Sequence, residues 1–252
     1  MLLDTIRDRN EPLFYFGLLC FATALACLLL IRFTTVQVAG VNAWYKPLKF
    51  ALSIGIFVWT MGWYMSYLNA PRAISWYNWA TIALLAFELG YIVFQAGRGQ
   101  LSHFNISTPL YAFLYSMMAV AITIVTIWTG YIGLLFFQTS FPDLPDYYVW
   151  GIRIGFVLFV IFSFEGFVMG SRLAHTIGGA DGGPGLPFVN WSTRFGDARI
   201  AHFIGMHALQ VLPILSFYLL KNVKATMLVG LVYGLVAVWV LVLAFQAKPL
   251  FR

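Results

Sequence analysis

The sequence predicts an all-α membrane protein, a bundle of about seven transmembrane helices, from its composition and its long apolar runs. Hydrophobic residues make up 61% of the 252 residues and charged residues only 10%, whereas soluble domains carry about 25% charged residues. So few charges cannot cover a globule of this size in water, which excludes soluble enzymes and soluble nucleic-acid-binding proteins. The two-residue alternation of polar and apolar side chains that marks a membrane β-barrel is absent from the sequence.

Seven apolar runs correspond to the predicted helices, since a spanning helix needs roughly 20 apolar residues. In chain order they are residues 13–31, 50–68, 79–94, 111–137, 149–169, 200–220 and 225–247, all within one transmembrane domain of residues 1–252. The fourth run is long enough to tilt or bend, and Pro213 predicts a kink in the sixth. The opening MLLDTIRDRNEP is too charged for a cleaved signal peptide, so the first helix must direct its own insertion.

The connections between these runs differ in length and charge. The longest, residues 171–198, contains GGADGGPGLPF, and loops of this length are usually functional or disordered. Its glycines fit either a close approach of the backbone to a ligand or a flexible linker. Nine Lys and Arg residues fall on the side of the C-terminus and six on the side of the N-terminus, which predicts a cytoplasmic C-terminus and an outer N-terminus. The net charge of +6 favours anionic lipid as a partner and not nucleic acid.

Glu88 and Glu165 are the two acidic residues inside the predicted helices. A carboxylate in the bilayer costs several kcal/mol unless it is paired, coordinated or protonated, so such residues face the bundle interior and mark a site. We therefore expect both to act as catalytic groups or proton acceptors. The alternative is a neutral glutamic acid that is hydrogen-bonded to a neighbouring helix.

Histidines provide a sharper signal, because the predicted crossings place all of them toward the C-terminal side. They are His103, His175, His202 and His207. At 1.5 Å rise per residue, His207 lies about 7.5 Å deeper than His202, at the depth expected for Glu165. His202 and His207 are separated by about 140° around the axis of one helix. With this separation, the two side chains do not form a simple chelate around one metal ion. We expect the histidines to form one site as metal ligands.

Polar residues near the membrane surface extend this predicted site. Glu88 and Arg98 belong to one helical stripe, and Glu165 and Arg172 belong to another. Gln210 shares a helix face with His207. We therefore predict cofactor contacts at Arg98, Arg172 and Gln210.

Three functions are consistent with these residues, and a purely structural or assembly subunit is the remaining alternative. The first is a metal-dependent enzyme in which His and Glu bind zinc, iron or manganese and activate water or oxygen near a lipid-soluble substrate. The second is a b-type haem protein with two His ligands that exchanges electrons with quinone. The third is a proton-coupled transporter with Glu88 and Glu165 as protonatable groups. The expected partners are the lipid bilayer, a lipid or quinone ligand, and further copies or partner subunits. The residues alone do not decide whether the protein is an enzyme.

The segments QAGRGQLSHFN and GDARIAHFIGMHALQVLP resemble those of uncharacterised bacterial multipass membrane proteins. This resemblance implies the bacterial inner membrane and carries no activity with it. Seven helices also invite comparison with rhodopsins, but the last run, residues 225–247, contains no Lys that could carry retinal.

Overall fold

The computed structural model describes residues 2–251, and the fold is all-α apart from two short strand pairs in this part of the chain. The helices are α1 (Leu2–Arg9), α2 (Glu11–Phe33), α3 (Tyr45–Met65), α4 (Pro71–Gly97), α5 (Pro109–Gln138), α6 (Asp146–Arg172), α7 (Ala198–Leu215) and α8 (Val223–Phe245). The antiparallel strand pairs are β1 (Gln37–Val38) with β2 (Val41–Asn42), and β3 (Thr176–Ile177) with β4 (Gly196–Asp197).

Seven helices, α2 to α8, are long and apolar enough to cross a membrane, when α7 is taken together with the π-helical turn Ser216–Leu220 that continues it. This confirms the predicted all-α membrane fold. The turn begins three residues after Pro213, whose missing N–H removes the hydrogen bond to the Leu209 carbonyl one turn earlier in α7. The orientation of the termini and the bacterial inner membrane stay predictions from charge and resemblance.

Capping residues and prolines determine where several helices begin. The Asn10 side chain accepts a hydrogen bond from the Leu13 amide at the start of α2, and the Asn222 side chain accepts one from the Ala225 amide at the start of α8. Pro71 and Pro109 are the first residues of α4 and α5, where a missing amide hydrogen costs least. These helices therefore extend beyond the apolar runs of the sequence.

The chain divides into two compact units, Met1–Val125 (unit 1) and Thr126–Arg252 (unit 2), and the division falls within α5. In unit 1, the side chain of Trp59 on α3 stacks on Phe14 of α2 at 5.7 Å, and its indole nitrogen donates to the Phe14 carbonyl. In unit 2, α6 packs along α7 and α8 around a cluster that includes Phe162 and Ala237. The single domain predicted from the sequence stays a prediction.

Unit 2 depends on an unusually close contact between α6 and α7 at Gly205. A Cβ atom at this position would lie 1.9 Å from the ring of Phe162, which is 2% exposed. Without a driving force from water, membrane helices associate through such close packing at small residues. The glycine therefore allows the aromatic ring of α6 to lie directly against the backbone of α7.

A buried amide pair fastens the start of α2 to α4 in unit 1. Asn10 and Asn78 donate to each other's side-chain oxygens at 3.1 and 3.0 Å, and the two residues are 7% and 5% exposed. Both side-chain amides are shielded from water. If one of them is removed, water therefore cannot take over its hydrogen bond to the other.

We expect Asn78→Ala to lower the free energy of unfolding by about 1–3 kcal/mol, since it leaves the buried Asn10 amide without its partner. Thermal unfolding in detergent measures this loss. Asn69→Ala is the matched control because Asn69 is exposed. Equal unfolding temperatures for the two variants would contradict a stabilising role of the pair.

Candidate functional site

The closest approach of an acidic and a basic side chain within the spanning helices of unit 2 joins Glu165 of α6 to His202 of α7. The Oε2 atom of Glu165 lies 3.4 Å from Nδ1 of His202. Glu165 is 9% exposed, and neither of its carboxyl oxygens has a hydrogen-bond partner. Nδ1 of His202 is also buried and not hydrogen-bonded, so the two groups are within ion-pair distance without the geometry of a hydrogen bond.

A glycine beside the carboxyl group makes room for the imidazole ring. A Cβ atom at Gly166 would lie 3.0 Å from Cε1 of His202. The ring is thereby held against the backbone of α6, next to Glu165. The small Gly166 next to Glu165 thus leaves room for the His202 ring. Close packing, and not a network of hydrogen bonds, positions the two side chains.

His207 has different neighbours from His202. Its side chain is hydrogen-bonded to Gln210, and its ring lies 4.2 Å from that of Phe203. Depth alone favoured His207 as the histidine beside Glu165, whereas the structure places His202 there. Depth follows from helical rise, but contact also depends on the angle around the helix axis, and the two histidines differ by about 140°.

The third histidine of unit 2, His175, belongs to the loop between α6 and α7. Asp181 accepts hydrogen bonds from the backbone amides of His175 and Thr176, and its Oδ2 atom lies 3.0 Å from Nδ1 of His175. Burial acts to raise the pKa of Asp181, but these hydrogen bonds and the nearby His175 outweigh it and hold the pKa below its ordinary value.

A second aspartate organises the other end of this loop. Asp197 is 2% exposed, caps the start of α7 at the Arg199 amide and forms a two-pronged ion pair with the Arg199 guanidinium. It also accepts from the Ser192 amide, while Arg199 donates to the Asn190 carbonyl. The hydrogen bonds of Asp181 and Asp197 and the pairing of β3 with β4 therefore stabilise the conformation of the glycine-rich segment 171–198.

Acidification should release the Asp181 end of this loop. The pKa of Asp181 is lower in the folded protein than its ordinary value of about 4. The carboxylate therefore contributes fully to stability when the pH is above that ordinary pKa, and this contribution is lost as the pH falls through the lowered pKa. Hydrogen exchange of the His175 and Thr176 amides, corrected for intrinsic rates, should accelerate in that range.

Asp181→Asn should exchange rapidly at these amides already at neutral pH, and Asp143→Asn, at an exposed aspartate of another loop, serves as control. Protection of the two amides that is independent of both pH and Asp181 would show that the carboxylate does not hold the loop.

Unit 1 contains Glu88 on the buried face of α4, where it is 4% exposed. Lys46 of α3 is close enough to interact with it electrostatically. Tyr91 lies about one turn and Gln95 about two turns farther along α4. The Gln95 amide donates to the Tyr91 hydroxyl at 3.2 Å and to the Leu101 carbonyl at 3.1 Å. The predicted stripe from Glu88 thus continues through buried polar groups to the end of the helix.

The remaining predicted residues lie near helix ends. His103 of unit 1 is surrounded by the rings of Phe50, Phe104 and Tyr115 at 5.3 to 6.3 Å. Its Nδ1 atom lies 3.2 Å from the Ser102 hydroxyl. The exposed guanidinium of Arg98 lies over the Phe94 ring at 5.3 Å, and Arg172 is exposed at the end of α6.

Residues 2–251 contain no group of three or more His, Cys, Asp or Glu side chains that could hold a metal ion. The histidines have separate neighbours, and His103 belongs to unit 1 whereas the other three belong to unit 2. A pocket of about 650 Å³ in unit 2, around Arg153 and the loop after α5, is lined by none of the predicted site residues. Ligation of zinc, iron, manganese or haem by these histidines therefore stays a prediction.

Two aspartates that organise the loop are not among the residues predicted from the sequence, although the sequence contains a signal for one of them. Asp197 immediately precedes the helix ARIAHF, which is the usual position of an N-cap. Asp181 binds amides five and six residues before it in the chain, which no local turn pattern predicts.

No family model, curated protein or solved structure matches the chain.

Proposed function

We propose that this multi-span membrane protein is a proton-coupled carrier in which Glu165 and His202 exchange a proton within the spanning part of unit 2. The observation that supports the proposal is the pair itself. A carboxyl group with two unpartnered buried oxygens lies 3.4 Å from an unpartnered imidazole nitrogen. Ionisable groups buried in spanning helices are costly to maintain and commonly belong to proton or ion pathways.

The chemistry of the two groups suits proton exchange. One proton between them gives either a neutral carboxylic acid beside a neutral imidazole or a carboxylate beside an imidazolium. The first state avoids buried charge, and the second offsets two charges against each other at short range. Hydrogen bonds that fixed the carboxylate would favour one state, and Glu165 has none. The pair can therefore gain and lose a proton without breaking a polar network.

Charge displacement after a pH step tests this proposal without knowledge of a transported substrate. The purified protein is reconstituted in vesicles that are adsorbed on a solid-supported membrane, and the solution pH is changed rapidly. A proton that reaches Glu165 crosses part of the membrane dielectric and produces a transient current. We expect Glu165→Gln to lower the displaced charge and His202→Gln to change its dependence on pH.

His175→Gln is the matched control, because this histidine also lies beside a carboxylate but belongs to the loop outside the spanning helices. A proton bound there crosses little of the dielectric, so the displaced charge should equal that of the wild-type protein. The same displaced charge in the wild-type protein and in Glu165→Gln would contradict the proposed role of the pair.

A further inference from the structure

The buried face of α4 in unit 1 is polar along most of its length. Five polar residues recur at intervals that place them on one side of the helix, and each is at most 8% exposed. They are Asn78, Thr81, Glu88, Tyr91 and Gln95. Such a stripe is unusual in a spanning helix, because each buried polar group loses the hydrogen bonds it makes with water.

Two of these side chains have polar atoms without a hydrogen-bond partner. They are Oγ1 of Thr81 and Oε1 of Gln95, and both residues are 0% exposed. An unsatisfied buried polar atom costs about 1–3 kcal/mol. Buried water molecules offset this cost where several polar groups surround one position. Gln95 lies among such groups, since Tyr91 and the Leu101 carbonyl accept from its amide.

Polar side chains follow Glu88 at intervals of three and four residues toward only one end of α4. Tyr91 lies about 4.5 Å and Gln95 about 10.5 Å farther along the axis than Glu88. The bond from Gln95 to Leu101, which is 45% exposed, reaches the loop beyond the helix. In the other direction, Leu85 stands on the same face between Glu88 and Thr81, and it is 3% exposed.

We infer that Glu88 exchanges protons with the membrane face at which α4 ends, through Tyr91, Gln95 and water held between them, and that Leu85 closes the opposite direction. A hydronium ion on that face gives its proton to the Glu88 carboxylate and leaves water and a neutral carboxylic acid.

Lys46 of α3 offsets the charge of the carboxylate when the proton leaves. Arg98 and Tyr111 interact with Tyr91 electrostatically, so they are further titratable groups beside the path. This access path belongs to unit 1 and is independent of the Glu165–His202 pair.

Cysteine accessibility tests the direction of the path. In a background with Cys20→Ala and Cys27→Ala, single cysteines are introduced and treated with a small cationic thiosulfonate from one side of sealed membranes. Arg98→Cys and Arg72→Cys report the two sides, since these exposed residues lie at opposite ends of α4. Glu88→Cys and Gln95→Cys should react from the Arg98 side only. Thr81→Cys, the matched control beyond Leu85, should not react from that side.

Reaction of Glu88→Cys from the Arg72 side, or no reaction of Glu88→Cys in a folded variant, would overturn the inference. Radiolytic hydroxyl labelling of the wild-type protein provides a measurement that does not depend on the folding of a variant. Radicals formed from bound water should oxidise Tyr91 and not Tyr77, which is buried on the same face beyond Leu85. Equal oxidation of the two tyrosines, or none at Tyr91, would equally overturn it.

Discussion

Gly205→Ala should destabilise the protein by about 1–3 kcal/mol, the usual cost of forcing additional atoms into a well-packed interior. The new Cβ atom would lie 1.9 Å from the Phe162 ring, a separation that no relaxed structure allows. Phe162 cannot move aside easily, because it is packed in a buried cluster with Ile200 and Ala201 of α7 and with Val240 of α8. Alanine favours a helix over glycine by about 1 kcal/mol, which offsets part of the loss.

Thermal unfolding in detergent measures this effect, and Gly90→Ala provides the matched control. Gly90 also lies within a spanning helix, but a Cβ atom there meets nothing within 4 Å. Its replacement should therefore be neutral or slightly stabilising. If Gly205→Ala and Gly90→Ala unfold at the same temperature, the close contact of α6 and α7 does not contribute to stability as described.

Combining Gly205→Ala with Phe162→Ala separates steric conflict from other effects of the methyl group. Phe162→Ala alone should cost about 3–5 kcal/mol because it empties a buried site. Adding Gly205→Ala to that variant should be neutral or stabilising, since the methyl group enters the space vacated by the ring. Simple additivity of the two losses would show that they do not act through one contact.

The spanning helices could be predicted from the sequence because the bilayer imposes the signal directly. Every backbone amide in hydrocarbon must find a partner, so long apolar runs have to be helices. The ends of the helices could not be predicted from hydropathy. α4 begins at Pro71 rather than near residue 79, since a proline at the first position starts the helix and the helix continues through Ser75 and Asn78 although these residues are polar.

The candidate site could be predicted in part. Burial of Glu88 and Glu165 follows from the cost of exposing a carboxyl group to lipid, and both are buried. The partner of Glu165 could not be predicted, because rise along a helix gives depth and does not give the rotation of the neighbouring helix. The hydrogen bonds of Asp181 to His175 and Thr176 depend on loop conformation, which helical periodicity does not report.

Removing His202 while Glu165 remains should have the largest effect on stability among substitutions at the site. In its carboxylate–imidazolium state this pair is a buried ion pair, and removing one partner from such a pair costs up to about 3–5 kcal/mol because the remaining group stays buried without compensation. The His202→Leu variant is therefore expected to unfold at a much lower temperature than the wild-type protein. Glu165→Leu should cost less, since the His202 side chain is 29% exposed and water can reach part of it.

The double variant Glu165→Leu/His202→Leu decides whether the pair serves stability or proton exchange. Hydrophobic residues that replace a buried ion pair are often neutral or stabilising by about 1–4 kcal/mol. We therefore expect the double variant to be at least as stable as His202→Leu alone and to approach or exceed the stability of the wild-type protein, while its displaced charge after a pH step stays below that of the wild-type protein. Wild-type stability together with a lowered displaced charge in the double variant would show that the pair contributes to proton exchange and not to stability. Losses from the two single substitutions that add up in the double variant would instead show that the side chains act independently, and that 3.4 Å between Oε2 and Nδ1 is proximity without coupling.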